Sequence, residues 1–260
     1  MDRVVSIEWL EEHRTDPDVS VIDVRDEWEF DGIGHVPSAV NVPFDSFRAG
    51  KHGEGEAGML PGAEVFASLL GDAGVGPEDR LVAYDDTHGV FAARLLVTAE
   101  LYGHDPERLH LLDGDFSAWQ RTAETTTDRT DREPTTYPAA FRADGPLVDA
   151  ETVRDALEDA VVVDVREPWE HEDGHIPGSI QLDWKELIDD ESRGLLPTPE
   201  IRSLLESRGI VPDRRIILYC NTARRISHTY VVLRHLGYES VDFYEGSLTE
   251  WEEIGGEITR

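Results

Sequence analysis

The 260-residue chain carries 55 acidic against 24 basic residues, a formal charge of −31, and its only lysines are Lys51 and Lys185. With no basic face to displace counterions from phosphates, nucleic-acid binding is excluded. No apolar run has the length of a bilayer span, and the amino terminus, Met1 to Trp9, lacks the apolar core of a signal peptide. A single cysteine excludes an internal disulfide framework and fits a reducing compartment, so a soluble cytoplasmic protein is expected. Acid excess with so little lysine suits the salt-in cytosol of a halophilic archaeon, where dense surface carboxylates hold water and ions.

Along the chain, short apolar runs alternate with amphipathic stretches. Strands are predicted at Val19–Val24, Leu81–Tyr84 and Arg108–Leu112, with a helix over Phe91–Leu101 that ends at Gly103. Arg121 to Gly145 is polar, threonine-rich and punctuated by proline, the composition of a surface linker. Strands follow again at Ala160–Val165, Arg215–Tyr219 and Ser240–Phe243, with a helix from about Arg225 to His235 ended by Gly237. Alternation of this kind predicts an α/β fold: parallel sheets covered by helices on both faces.

The chain is a duplication. Val21-Ile22-Asp23-Val24-Arg25-Asp26-Glu27-Trp28-Glu29, leading to Gly34-His35-Val36-Pro37, matches Val162 to Glu170, leading to Gly174-His175-Ile176-Pro177. Leu81–Asp85 matches Ile216–Cys220, and Leu112–Trp119 matches Tyr244–Trp251. The offset shrinks from 141 residues at Asp23/Asp164 to 132 at Trp119/Trp251, so the first copy carries extra loop residues. Copies of this size are two homologous domains rather than a solenoid.

Cys220, the lone thiol, falls where an apolar strand breaks into a helix. Converging backbone N–H groups and the positive end of a helix dipole favour the thiolate, which is the nucleophile. Asn221, Thr222, Ala223, Arg224 and Arg225 then form a loop able to nest an anion, with the arginines offering forked hydrogen bonds to an oxyanion. The competing reading is a small buried hydrophobe; cations at a helix start oppose its dipole, which argues that the arginines are used. Asp-Val-Arg occurs in both copies, so Arg25 is read as architectural. Arg166, in the copy with the thiol, is also a candidate for binding an anion. His175 is read as a turn histidine, whereas His35 is a candidate for the substrate side of the cleft between domains. No residue grouping has zinc spacing. At the strand end matching Cys220 the first copy has Asp85, which offers no thiol nucleophile, so that copy is expected to be catalytically silent and to wall the cleft.

With these residues in place, the chain resembles the rhodanese superfamily, specifically the tandem-domain thiosulfate/3-mercaptopyruvate sulfurtransferases. The resemblance rests on Asp-Val-Arg with Gly174–Gly178, on Tyr219-Cys220 opening a six-residue loop, and on the closing Glu245-Gly246-Ser247-Leu248-Thr249-Glu250-Trp251. It implies two homologous rhodanese-like domains, a silent one at 1–122 and a catalytic one at 146–260, joined by a linker at 123–145. The implied chemistry is a double displacement. Cys220 takes the outer sulfur of thiosulfate, releases sulfite and passes the persulfide sulfur to cyanide or a thiol, without a cofactor. The amides of 221–225 would cradle the persulfide, and Arg166, Arg224 and Arg225 would bind the donor. Thiosulfate is favoured over 3-mercaptopyruvate because the loop is arginine-rich and lacks the Cys-Gly-Ser-Gly-Val pattern. Ala223 stands where many relatives have glycine, so a positive φ there would change the loop. A cysteine phosphatase needs a loop one residue longer than the one ending at Arg225. A carrier or scaffold that takes persulfide from, or hands it to, another protein remains the non-catalytic alternative.

The charge excess yields the first prediction. At 1 M salt the Debye length is about 3 Å, so self-repulsion is screened and the melting temperature rises steadily with added KCl. A melting temperature indifferent to KCl in a thermal scan contradicts this reading.

Overall fold

The computed structural model describes residues 2–49, 59–221 and 223–260. Thr222 and Lys51 therefore lie outside the described residues. The chain divides into two compact units, the first reaching Gly145 and including Asp190–Gly194, the second formed by Pro146–Asp189 and Leu195–Arg260.

The first unit runs β1 (Val4–Val5), α1 (Ile7–His13), β2 (Val19–Asp23), α2 (Glu27–Gly32), β3 (Val40–Asn41), α3 (Ala63–Asp72), β4 (Arg80–Tyr84), α4 (Val90–Leu101), β5 (Leu109–Leu112) and α5 (Phe116–Thr122). Its strands form one parallel sheet in the order β1-β5-β4-β2-β3. Every residue of β2 is buried, as expected where helices cover both faces of a parallel sheet. On one face Val19, Val21, Val82 and Tyr84 pack with Leu10 of α1 and with Phe116 and Trp119 of α5. On the other, α4 lies along β4 and β5.

The second unit repeats the plan with β6 (Leu147–Val148), α6 (Ala150–Ala156), β7 (Val161–Asp164), α7 (Pro168–Asp173), β8 (Ile180–Gln181), α8 (Thr198–Ser207), β9 (Ile216–Tyr219), α9 (Arg224–His235), β10 (Val241–Tyr244) and α10 (Ser247–Glu253). Its parallel order is β6-β10-β9-β7-β8. Val162, Ile217 and Tyr219 pack with Val153 of α6 and Trp251 of α10, while α9 lies against β9 and β10.

The strands and helices read from sequence recur with ends moved by a residue or so, within the usual fraying of element boundaries. Edge strands β1, β3, β6 and β8 are only two residues long, too short to leave a periodic signal. The segment 123–145 is laced onto the first unit by main-chain bonds. Thr126 pairs with His35, Thr135 N–H donates to Gly71 O (2.9 Å), and Arg142 N–H donates to Leu101 O (2.8 Å).

His110 in β5 is fully enclosed, with Nδ1 2.8 Å from the Asp2 carbonyl. Burial, which disfavours the imidazolium, lowers its pKa from 6.5 to about 4. The native state thus binds fewer protons than the unfolded chain between those values. Stability present above pH 6.5 is lost as the pH falls towards about 4. His110→Gln should flatten that part of the acid limb, seen by comparing urea unfolding at pH 7 and pH 5 with the parent chain. A variant with the parent's full pH dependence contradicts this assignment.

Candidate active site

The middle strand of the second sheet, β9, reads Ile-Ile-Leu-Tyr and is buried throughout, and the chain turns from strand to loop at its carboxyl end. Cys220 is the next residue. In open parallel sheets this is where ligands bind, because helix starts and loops converge there. The neighbouring strand ends bring Arg166 after β7 and Ser247 after β10.

Cys220 has no exposed surface, yet polar groups border its sulfur. Arg225, in the first turn of α9, is near enough for its charge to be coupled to the Cys220 side chain. The Ser247 hydroxyl lies 4.0 Å from Sγ, accepts the Cys220 N–H at 3.2 Å and donates to Tyr244 O at 2.9 Å. Leu248 N–H closes on the Cys220 carbonyl at 3.0 Å. Burial opposes the Arg225 charge, but the Glu170 and Cys220 side chains outweigh it and hold the guanidinium above its usual range.

The floor of the site is the Asp-Val-Arg knot. Arg166 donates Nε and Nη2 to Asp164 (2.8 and 2.6 Å), Nη2 to Gly174 O (2.7 Å) and Nη1 to Asn221 Oδ1 (3.3 Å). The Tyr219 hydroxyl donates to Asp164 at 3.0 Å. Burial acts to raise the Asp164 carboxyl; the hydrogen bonds and charge of Arg166, with His171, overcome it and leave the pKa below the carboxylate norm.

The expectation that Arg166 binds the donor anion is therefore corrected: it is 3% exposed and its guanidinium is committed to Asp164, Gly174 and Asn221. His35 is corrected as well. It is fully buried in the first unit, stacked 3.6 Å from Phe30, with its ring nitrogens against the carbonyls of Phe30 (2.9 Å) and Asp128 (3.2 Å). Such a histidine serves the fold and offers no free ring atom to a substrate. Asn221 is half-buried beside the thiol and donates to Glu170 at 2.7 Å. Ala223 is buried at φ +18°, short of the left-handed region, so alanine is not placed in a glycine conformation. Arg224 is exposed. Thr222 lies outside the described residues.

Asp85, the first unit's counterpart of Cys220, is also buried. Its carboxylate accepts the amides of Thr87 (2.7 Å), Gly89 (2.8 Å), Phe91 (2.7 Å) and Ala92 (3.0 Å). Burial pushes this carboxyl above its usual range while the four amides pull the other way. The loop after the central strand is thus, in this copy, a ring of amides closed around an anion.

The rhodanese-like domain model matches residues 6–122 and 149–254. The chain belongs to the rhodanese family. A protein of Haloferax volcanii is 30% identical over 98% of this chain and 95% of its own. A thiosulfate sulfurtransferase of Pseudomonas aeruginosa is 32% identical, covering 90% of this chain and 88% of that one. The crystal structure of SseA from Escherichia coli, described as a 3-mercaptopyruvate sulfurtransferase, superposes with a TM-score of 0.83 at 25% identity over 95% of this chain and 99% of that one. Among the described residues of this rhodanese no cluster suits a metal ion, and no helix is long and apolar enough to cross a membrane.

Two contributors to the rhodanese site were not singled out in the sequence: Ser247 and Glu170. Ser247 occupies the place of Asp115 in the other copy, and that substitution beside the thiol was the available signal. It adopts φ +54°, a left-handed conformation costly for a residue with a Cβ. Ser247→Ala leaves the buried Cys220 N–H without its acceptor and should destabilise the protein by about 1–3 kcal/mol. Ser247→Gly loses the same bond but relieves about 1 kcal/mol of backbone cost, so it should melt above the alanine variant. The opposite order in a thermal melt contradicts this account.

Proposed function

We propose that the chain is a thiosulfate sulfurtransferase whose only nucleophile is Cys220. The single observation carrying this reading is the Cys220 sulfur at the carboxyl end of the central strand β9, with the Ser247 hydroxyl 4.0 Å from it and Arg225 in the first turn of the helix that follows. The curated relative from Pseudomonas aeruginosa supports thiosulfate as donor.

The Cys220 thiolate attacks the outer sulfur of thiosulfate. The sulfur–sulfur bond of the donor breaks, sulfite leaves with its electron pair, and an anionic cysteine persulfide remains. Cyanide or a thiolate then attacks the outer sulfur of the persulfide, leaving as thiocyanate or a new persulfide and restoring the Cys220 thiolate. Arg225 and Arg224 draw the donor in, and the amides of residues 221–225 hold the persulfide. What supports this cradle is the matching loop of the first unit, where four amides already surround the Asp85 carboxylate. With an aspartate filling that ring, the first unit is silent. The small-molecule donor and acceptor need no cofactor, though a protein thiol is chemically an equally suitable acceptor for the outer sulfur of a persulfide. The acid excess, the near-absence of lysine and the Haloferax relative support a cytoplasmic enzyme of a halophile.

Intact-mass measurement tests the reading. Protein incubated with thiosulfate in molar KCl should gain the mass of one sulfur atom, lose it on addition of cyanide, and gain nothing as Cys220→Ser. If the wild-type chain gains no sulfur from thiosulfate but does so from 3-mercaptopyruvate, the donor assignment is wrong. If it accepts sulfur only from a protein persulfide, it is a carrier.

A further inference from the structure

Glu170 makes more contacts than its local role requires. It is the N3 residue of the α7 capping box, in which its carboxylate accepts the Glu167 N–H at 3.1 Å. A cap needs only that bond. The same carboxylate also accepts Arg225 Nη1 at 2.5 Å, Arg225 Nη2 at 3.0 Å and Asn221 Nδ2 at 2.7 Å. Its side chain is 10% exposed, so these charge-assisted bonds form largely out of water. Burial acts to raise its carboxyl, yet the bonds and charge of Arg225 hold it below the ordinary range.

The first unit shows what the cap alone looks like. Glu29, at the matching position, accepts the Asp26 N–H at 3.2 Å, and the loop beside it reads Asp85-Asp86-Thr87-His88-Gly89-Val90, without an arginine. The additional bonds of Glu170 thus accompany the copy that has a thiol and a loop arginine. Arg225 is thus held in a fork by the Glu170 carboxylate in the first turn of α9, five residues after Cys220, and its charge is coupled to the Cys220 side chain. A forked carboxylate–guanidinium pair fixes the plane of the guanidinium, and its negative charge offsets the positive field that an incoming anion meets.

We infer that Glu170 is a positioning residue that fixes the Arg225 guanidinium and Asn221 beside Cys220 and sets how strongly the site attracts an anion. This rests on Cys220 being the nucleophile of the proposed sulfur transfer. In thiosulfate turnover, Glu170 would restrain the hold on the dianionic sulfite leaving group as well as on the donor. Removing its charge should lower the KM for thiosulfate while also lowering kcat, because the same arginine that binds the donor also retains the product.

The deciding experiment uses alkylation, which needs no sulfur donor. Iodoacetate and iodoacetamide each lose iodide to the same thiolate, but the first is an anion and the second is neutral. The ratio of their rate constants at Cys220 therefore reads the local field. In Glu170→Gln the iodoacetate-to-iodoacetamide ratio should rise on the order of three- to tenfold, the scale of one unit charge removed near a partly buried site. Glu170→Asp, which keeps the charge, should hold the ratio within about twofold of wild type even if both rates fall. Arg225→Ala should lower the ratio below wild type, and adding Glu170→Gln to it should bring the ratio back towards wild type, because the double variant has lost one charge of each sign. Equal slowing of both reagents in Glu170→Gln, an unchanged ratio, or a sulfur that neither reagent reaches in the wild-type protein overturns the inference. Failure of thiosulfate to load Cys220, with the ratio moving as stated, overturns the donor assignment and leaves the role of Glu170 standing.

Discussion

A buried carboxylate organises the reactive end of the second unit. Asp164 has no exposed surface, and it gathers the Arg166 fork, the Tyr219 hydroxyl and the His171 ring, the last at 3.0 Å. Removing such a pair from water is costly, and only a nearly complete set of hydrogen bonds makes it tolerable. Here the set ties the end of β7 to the end of β9, then passes through Arg166 to Asn221 beside the thiol. The first unit repeats the knot with Asp23, Arg25 and Tyr84, whose hydroxyl donates to Asp23 at 2.6 Å. Because the knot persists where the thiol is missing, its primary duty is to hold strand ends in place, and the chemistry is added above it.

The two copies differ at the residues that face this floor. Asp85 turns the loop's amides inward onto its own carboxylate, whereas Cys220 is bordered by an arginine and a serine. One frame therefore supports a closed polar plug in one unit and a reactive sulfur in the other. The difference lies in side chains at matched positions, not in the sheets, whose strand orders are the same.

The duplicated sheets, the helices after the central strands and the placement of Cys220 were legible because each leaves a long or repeated pattern. Apolar runs, Gly103 and Gly237 after their helices, and paired motifs carry that information. The roles of Arg166 and His35 were misread because a motif names a residue type and not its partners. Arg166 faces inward to Asp164, two residues before it in the chain, and His35 is sealed by Phe30 and the Asp128 carbonyl. Glu170 was hidden for a related reason: it recurs in both copies, and only the tertiary approach of α7 to the loop distinguishes its use from that of Glu29. Ser247 depends on β10 running beside β9, a pairing between residues far apart in sequence.

The lacing of residues 123–145 has a practical meaning for anyone dividing this protein. Their composition invites a cut directly after α5, as though the first module finished there. Yet Tyr137 is 4% exposed and its hydroxyl meets the His104 ring at 2.9 Å, while neighbouring backbone bonds satisfy the ends of α3 and α4. A clone stopping at residue 122 would strip a covering strap from the module and bare apolar surface; the natural seam is at Gly145.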